Sequence, residues 1–533
     1  MVSSPVATLR VGIDVGGTNT DAAIIDGSRV LASCKRPTSA DVLSGVAEAL
    51  REVMTGVDPH RVHSVVIGTT HFINAITQAR GLAPVVAVRI ATTPVPLPPF
   101  TDWSERVADA VRGAVVEVEG GHQYDGSAIQ VGQAHGVDPA AVTEAVRATD
   151  SDSRELVLTA CFAPVNPAAE DSAREALESA LPDARVTVSH ELGVIGLLER
   201  ENAALLNGSL RPLAATVVDG FLAAVAGAGV HAPLFLSQND GTVMDLDTAR
   251  RFPILTVASG PTNSMRGAAV ESQLTDCVVV DVGGTTTDIG LLRDGYPRES
   301  TLAVQLGGVR TGFRMPDVVS LGIGGGSLVE VADDGSVTVG PQSVGYEIRT
   351  RALVFGGDTL TLTDLAVAAG RAQVGDASLV ADVDPQVVER GLAYVDHAVA
   401  DCVDRVKIDR TPLPVVMVGG GAGLLSTDVP GASEVIRPTN AGVANAIGAA
   451  LATISGQVDR IFSLADTTRE QALEAARTEA VAAAVAAGAV ASTVRVVDQE
   501  DIPLAHLPGG TATRIRVRVI GDLPHDLSEA DDA

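Results

Sequence analysis

The sequence predicts an α/β protein organised around a duplicated strand–turn–strand unit. Two observations carry that prediction. Residues 13–25 read IDVGGTNTDAAII and residues 280–292 read VDVGGTTTDIGLL, with seven of thirteen positions identical. Between and around the copies, short apolar runs of strand length alternate with longer segments of helical periodicity, the pattern of a mixed α/β architecture.

The elements follow in order. Apolar residues 9–13 and 277–280 lead into the two copies as buried strands, and each Gly-Gly-Thr turn is followed by a second apolar run, so each copy predicts a β-hairpin. Strands are expected at 62–67, 84–90, 155–158 and 185–188, and helices at 40–54, 139–148, 167–181 and 194–206. Residues 95–99 carry three prolines, which continue neither a helix nor a central strand, and read as a stiff crossover loop. Past the second copy lies a glycine-rich turn at 321–327, then an apolar strand at 414–418 ending in Gly419-Gly420-Gly421-Ala422-Gly423. An alanine-rich helix is expected at 469–487, stopped by Gly488, then a half-exposed strand at 513–520 and an acidic tail at 526–533.

Composition narrows the function. The 533 residues suffice for two to four domains at roughly 150 residues each. Acidic residues outnumber basic ones 66 to 38, a formal charge of −28 that repels nucleic acid and anionic membrane. The only two lysines, Lys35 and Lys407, do not follow glycine, so there is no Walker A loop. Both lie in charged surroundings, which argues against the apolar-strand lysine of a protein kinase. The four cysteines stand far apart with no C-x-x-C pair, as expected of a reduced, cytoplasmic protein without structural zinc. Residues 1–5 lack the regions of a signal peptide. The apolar stretch 213–230 is rich in Ala and Gly and interrupted by Asp219, which reads as packed helix rather than membrane span.

The chemistry concentrates at the hairpin tips. Glycines 16, 17, 283 and 284 let the backbone approach a ligand, so that neighbouring N–H groups converge on phosphate oxygens. Hydroxyls of Thr18, Thr20, Thr285, Thr286 and Thr287, with Asn19, supply further contacts. Asp14 and Asp281, at the strand ends, are the candidate ligands for Mg²⁺, direct or through water. Asp21 and Asp288 either share that task or orient the turns. Two such hairpins facing each other would grip a polyphosphate from both sides. The cluster Gly419, Gly420, Gly421 either lets the chain approach a nucleotide base or ribose or is a plain turn. As half of a Rossmann fingerprint it fails, because Leu424 stands where the third glycine belongs. His60 and His63 have no further ligand near them in sequence, and no G-x-S-x-G elbow occurs. Cys161 and Cys277 lie in apolar runs and read as buried fillers.

The ordered set of two phosphate hairpins and a late glycine cluster resembles the actin, sugar kinase and Hsp70 ATPase superfamily. Within it the chain is similar to the hydantoinase A and 5-oxoprolinase family. Residues 68–76 (GTTHFINAI) resemble that family's G-T-T-x-x-x-N-A-[LI] segment, 259–261 its S-G-P turn, 281–288 its D-x-G-G-T-[ST]-T-D motif and 322–327 its G-x-G-G-G-S motif. The match departs at Thr262-Asn263-Ser264, where the family has Ala-Gly-Gly, and at Asn19, where it has an aromatic residue.

The resemblance implies duplicated ribonuclease H-like (actin/Hsp70-type) domains around an ATP cleft. It implies an N-terminal domain over 1–190, a hydantoinase A domain over 191–455 and an extension over 456–533. Gly324 and Gly325 join the expected ATP contacts, and Thr69, Thr70 and Asn74 either line the substrate side of the cleft or form a strand-to-helix cap. His71 is an acid–base or structural candidate, and Asp317 either approaches the phosphates or holds a turn. The implied activity is Mg²⁺- and ATP-dependent opening of a cyclic amide or imide, such as a hydantoin, 5-oxoproline or another lactam. The expected protein is an oligomer acting with a separate hydrolytic (B-type) subunit, independent of nucleic acid and membrane. A small-molecule kinase, an ATP-driven reactivating chaperone and a carboxylase remain as alternatives.

Overall fold

A computed structural model describes residues 9–37, 42–92, 97–193, 196–300, 304–312, 315–464, 467–504 and 512–524. The start of the chain, part of the proline loop and the acidic tail lie outside the described residues.

Two sheets repeat one strand order. In the first, Arg29–Pro37, Asn19–Asp26, Leu9–Val15, Val62–Thr69 and Leu234–Ser237 lie side by side. In the second, Val318–Leu321, Thr287–Arg293, Cys277–Val282, Leu413–Val418 and Ala432–Ile436 follow the same order. Each has an antiparallel hairpin whose first strand pairs in parallel with the fourth. This is the ribonuclease H-like order, present twice, and the fold class is that of the actin/Hsp70-type ATPases. Strand-buried valines explain the central positions: Val278, Val279 and Val280 are all buried, as parallel strands covered on both faces require.

The first sheet grows to nine strands through Thr242–Met244, Thr453–Ser463, Ala512–Gly521 and Arg495–Pro503. The domain limits expected at 190 and 455 are therefore not the limits of the sheets. Strands from the middle and from the C-terminal part complete the N-terminal lobe, because their apolar faces, such as Ile515, Val517 and Val519, bury against it and the helix Arg469–Ala486.

A third sheet is wholly parallel, in the order Arg185–Val188, Glu155–Ala160, Val85–Ile90, Arg112–Val118. Val86 and Val88 face the helices Pro139–Arg147 and Ala168–Ala180, while Val85 and Ala87 face the long helix Leu197–Gly227. That long helix extends well past the expected end at 206, through Pro212. Proline removes one helical hydrogen bond, the one its N–H would give to the Gly208 carbonyl, and the neighbouring Ser209 carbonyl accepts from the Ala83 N–H at 2.9 Å. It is the one described helix long and apolar enough to cross a membrane. Here it carries buried Arg200, Glu201 and Asn207 in the core between sheets.

Two helices carry the chain between lobes, Ser259–Ser272 outward and Ala444–Ala450 back. They cross at glycine: a Cβ on Gly267 would overlap the Ala444 carbonyl, and one on Gly448 would overlap the Asn263 carbonyl. Gly12 likewise admits the Ala444–Ala450 helix onto the central strand. Close backbone approach is what the missing side chains provide. A small hairpin, Val304–Leu306 with Val309–Thr311, reaches from the second lobe to pack on the long helix and on His71–Gln78.

Candidate active site

The two hairpin tips are built alike. Gly16 N–H donates to the Asn19 carbonyl at 3.0 Å, and Gly283 N–H to the Thr286 carbonyl at 2.8 Å. Among the described residues the N–H groups of Gly17, Thr18, Gly284 and Thr285 bond no backbone carbonyl, which offers four donors at the tips to an anion. The tips face one another, since the Thr18 side chain lies 3.2 Å from the position of a Cβ on Gly284.

Register sets the acids. Asp14 pairs with Asp21 and Asp281 with Asp288, so each hairpin carries two carboxylates on one face. The third strand then distinguishes the lobes. Lys35 stands opposite Asp21 and bonds its Oδ2 through Nζ at 2.6 Å. Ser320 stands at the matching place in the second lobe, its hydroxyl donating to Asp288. Lys35 also reaches the second lobe, its Nζ 3.8 Å from the position of a Cβ on Gly420.

Burial dominates the electrostatics. It pushes Asp14 up to about 7, helped by the charges of Asp21 and Asp281 and opposed by Asn263 and Lys35. The Asn445 amide also donates to Asp14, at 2.8 Å. Asp281 is raised to about 6 by burial, against a hydrogen bond from Ser264. Asp21 and Asp288 are raised too, again by burial, and are opposed by Lys35 and Ser320 respectively. Among the described residues, two buried acceptors, Asp21 Oδ1 and Asn263 Oδ1, have no donor. Unpaired acceptors among carboxylates are what a hydrated cation would satisfy. Among the described residues no three His, Cys, Asp or Glu side chains form a metal cage. Mg²⁺ needs none, because it keeps several waters and takes one or two carboxylates.

Gly16, Gly17, Thr18 and Asn19 sit at the first tip and Gly283, Gly284, Thr285 and Thr286 at the second. Thr20 and Thr287 do not belong to the phosphate face. Both are wholly buried; Thr20 turns toward Gly45 of the first helix, and the Thr287 hydroxyl donates to the Ile323 carbonyl at 2.7 Å. Strand alternation explains this, since each lies one residue before the inward-facing aspartate. Gly324 and Gly325 support the second tip rather than bare a donor. Gly324 N–H bonds Ser327 Oγ and Gly325 N–H bonds the Gly283 carbonyl.

Parallel pairing sets Gly68 beside Asp14 and Val418 beside Asp281. Thr69, Thr70 and Gly419, Gly420 thus occupy equivalent strand ends in the two lobes. Gly419 takes φ +85° with Asp281 pressed against it, and its N–H and that of Gly421 are bonded within the protein. Thr69 Oγ1 accepts from His71 N–H, the Thr70 hydroxyl donates to the Val15 carbonyl, and Asn74 Nδ2 donates to Thr70 Oγ1. These bonds tie the strand end to the helix His71–Gln78 at the edge of the cleft, while the N-cap residue Thr70 itself makes no side-chain cap bond. Burial holds the half-buried His71 ring below its ordinary value, toward the neutral imidazole. Asp317 pairs with Arg298, a turn contact.

Sequence reading passed over Lys35, Asn263, Ser264 and Asn445. The signal for Lys35 was its isolation, as one of only two lysines. Asn263 and Ser264 were visible as the departure after Ser-Gly-Pro, but their aim at Asp14 and Asp281 depends on helix packing.

Comparison with known proteins bears on this geometry. The Hydantoinase/oxoprolinase N-terminal region model matches residues 10–181, and the Hydantoinase/oxoprolinase model matches residues 200–376. The chain belongs to the hydantoinase/oxoprolinase family. Its relatives include caprolactamase subunit alpha of Pseudomonas jessenii, 26% identical over 398 residues, covering 68% of this chain and 54% of that protein. They also include the acetophenone carboxylase gamma subunit of Aromatoleum aromaticum, 26% identical over 401 residues, covering 68% and 53%. The chain thus spans about half the length of these two relatives. Among solved structures, the ATP-dependent caprolactamase of Pseudomonas jessenii superposes with a TM-score of 0.76 at 19% identity, covering 97% of this chain and 88% of the other. A nucleotide-free acetone carboxylase superposes at 0.66 and 17% identity, with the same coverage. These likenesses show a fold shared with the two enzymes over nearly the whole chain.

Proposed function

We propose that the chain uses ATP to phosphorylate and so activate a cyclic amide or imide for ring opening. The facing hairpins, whose tips carry four N–H donors with no backbone partner among the described residues, and the carboxylates beside them carry this reading. Membership of a family with a caprolactamase subunit among its members supports the amide as the acceptor.

An amide carbonyl is resonance-stabilised and its oxygen is a poor leaving group. Transfer of the γ-phosphoryl group to that oxygen, with ADP leaving, gives an O-phosphorylated imidate whose carbon is open to water. Addition of water and cleavage of the ring C–N bond leave a free amine and an acyl phosphate, from which a second water releases phosphate. The N–H groups of Gly17, Thr18, Gly284 and Thr285 hold the phosphates from both sides, and Lys35 adds a positive charge beside Asp21. Asp14 and Asp281 would hold Mg²⁺ directly or through water, which would neutralise charge on the β- and γ-phosphates. Positioning and charge are the main demands of phosphoryl transfer. Thr69, Thr70 and Asn74 fix the strand end beside the reacting phosphate, where the amide is presented.

A separate hydrolytic subunit would complete ring opening, a reading supported by relatives that are themselves named as subunits. Carboxylation is the second reading, favoured by the acetophenone carboxylase relative. We place the protein in the cytoplasm on its unpaired cysteines.

The test is Mg²⁺-dependent ATP hydrolysis by the purified chain, alone and with lactams, hydantoins, sugars and ketones. Stimulation by a cyclic amide is the expected result. Stimulation by a ketone with bicarbonate favours carboxylation, and by a sugar with retained phosphate a kinase. Failure to bind ATP refutes the site.

A further inference from the structure

A cavity of about 980 Å³ lies where the parallel sheet, the strand end after Leu234–Ser237 and the C-terminal strands meet. Parallel sheets bind ligands at the carboxyl ends of their strands, where successive connections diverge. Residues just past Glu155–Ala160 and Arg185–Val188, among them Pro164 and His190, form that wall. Gln238 and Asn239 form another, and they also adjoin the nucleotide cleft. Asn263 Nδ2 donates to Ser237 Oγ at 3.1 Å, and Thr262 Oγ1 to the Asn239 carbonyl at 2.9 Å.

The strands Leu9–Val15, Val62–Thr69 and Leu234–Ser237 are parallel neighbours. Their registers therefore bring Val15, Thr69 and Gln238 level at the carboxyl ends. Two strand spacings, about 10 Å, separate the phosphate tip from the cavity wall, with Thr69 and Thr70 between.

The lining selects its ligand. Met244, Phe252, Leu255, Val458 and Phe462 offer an apolar face. Five carboxylates, Glu191, Asp240, Glu299, Asp459 and Glu479, border it and are held by hydrogen bonds or ion pairs. Arg460, the one arginine among the described lining residues, is paired with Glu479. Such a wall repels an anion, and the other cationic group in the described lining is His190, which burial pushes down but Glu170 and Asp171 raise overall and already pair. His190 remains as a polar contact. Its Nδ1 bonds Glu170 at 2.7 Å, and that wholly buried carboxylate also accepts from Ser189 Oγ, His190 N–H and Ala160 N–H. Buried Arg200 ties Ser189 and the Ala160 carbonyl into the same network. The ring is thereby fixed with Nε2 as its remaining hydrogen-bonding atom, 3.7 Å from Asp171.

We infer that this cavity is the binding site for an uncharged cyclic amide, its ring on the apolar face and its amide held by His190 and Gln238. The inference rests on the amide-activating reading and narrows it, because it excludes lactams that carry a carboxylate, such as 5-oxoproline.

The test is calorimetric binding of 2-pyrrolidinone, ε-caprolactam, hydantoin and 5-oxoproline to the full chain, with Mg²⁺ and a non-hydrolysable ATP analogue. An uncharged ring should bind at least about tenfold more tightly than 5-oxoproline. Ala483→Trp, at an exposed lining position of the C-terminal helix, should abolish that binding by filling the space. His190→Gln should weaken it, with analogue binding intact in both variants. Preference for 5-oxoproline, no binding by any ring, or ring binding indifferent to both substitutions overturns the inference. Loss of analogue binding by the unaltered chain would instead overturn the nucleotide site.

Discussion

Asp14, buried, and Asp281, partly buried, lie between the lobes, and their charge is the first thing a substitution would reveal. Asp14→Ala or Asp281→Ala should lower ATP turnover by about 10²–10³ while circular dichroism stays unchanged. The burial of Asp14 also has a sign in stability. Its carboxyl is raised from 3.8 to about 7, so the folded protein holds a proton that the unfolded chain has lost. That stability is fully present below about pH 4 and disappears as pH rises through 7, on the order of 4 kcal/mol for the nucleotide-free protein. Asp14→Asn should therefore show a smaller fall in Tm between pH 4 and 7 than the parent, and a higher Tm at pH 7.5. Lys35→Ala should raise the KM for ATP about tenfold, the worth of one charge-assisted contact, with Lys35→Arg recovering part of it. An unchanged KM would confine Lys35 to neutralising Asp21.

Elements differ in how openly the sequence declares them. The hairpins were legible because glycine spacing and flanking apolar runs are local signals, and the strand Arg185–Val188 falls where the pattern puts it. The pairing of Lys35 with Asp21 was not, because register across a third strand is a tertiary property. Nor was the burial of Thr20 and Thr287, although alternation from Asp21 and Asp288 held the clue. The crossing of Ser259–Ser272 with Ala444–Ala450 was equally hidden, since two helices far apart in sequence meet through glycines that look ordinary singly. Gly448→Val should push these helices apart and cost about 3 kcal/mol, read as a lowered urea midpoint. Gly442→Ala, with nothing within 4 Å, should leave the midpoint unchanged.

At the scale of the whole molecule, the two lobes meet at the hairpin tips, so a ligand spanning them should stabilise both. At a hundred times its Kd, an ATP analogue with Mg²⁺ should add about 2.7 kcal/mol, seen as a raised Tm that Asp281→Ala abolishes. The order of the sheets carries one more consequence. Leu9–Val15 and Ala512–Gly521 are strands of the same nine-stranded sheet, although almost the entire chain lies between them. Fluorophores attached on those two strands would ride on one sheet and should stay silent if ATP draws the lobes together. A pair on Arg29–Pro37 and Ala432–Ile436 would straddle the cleft and report every closure.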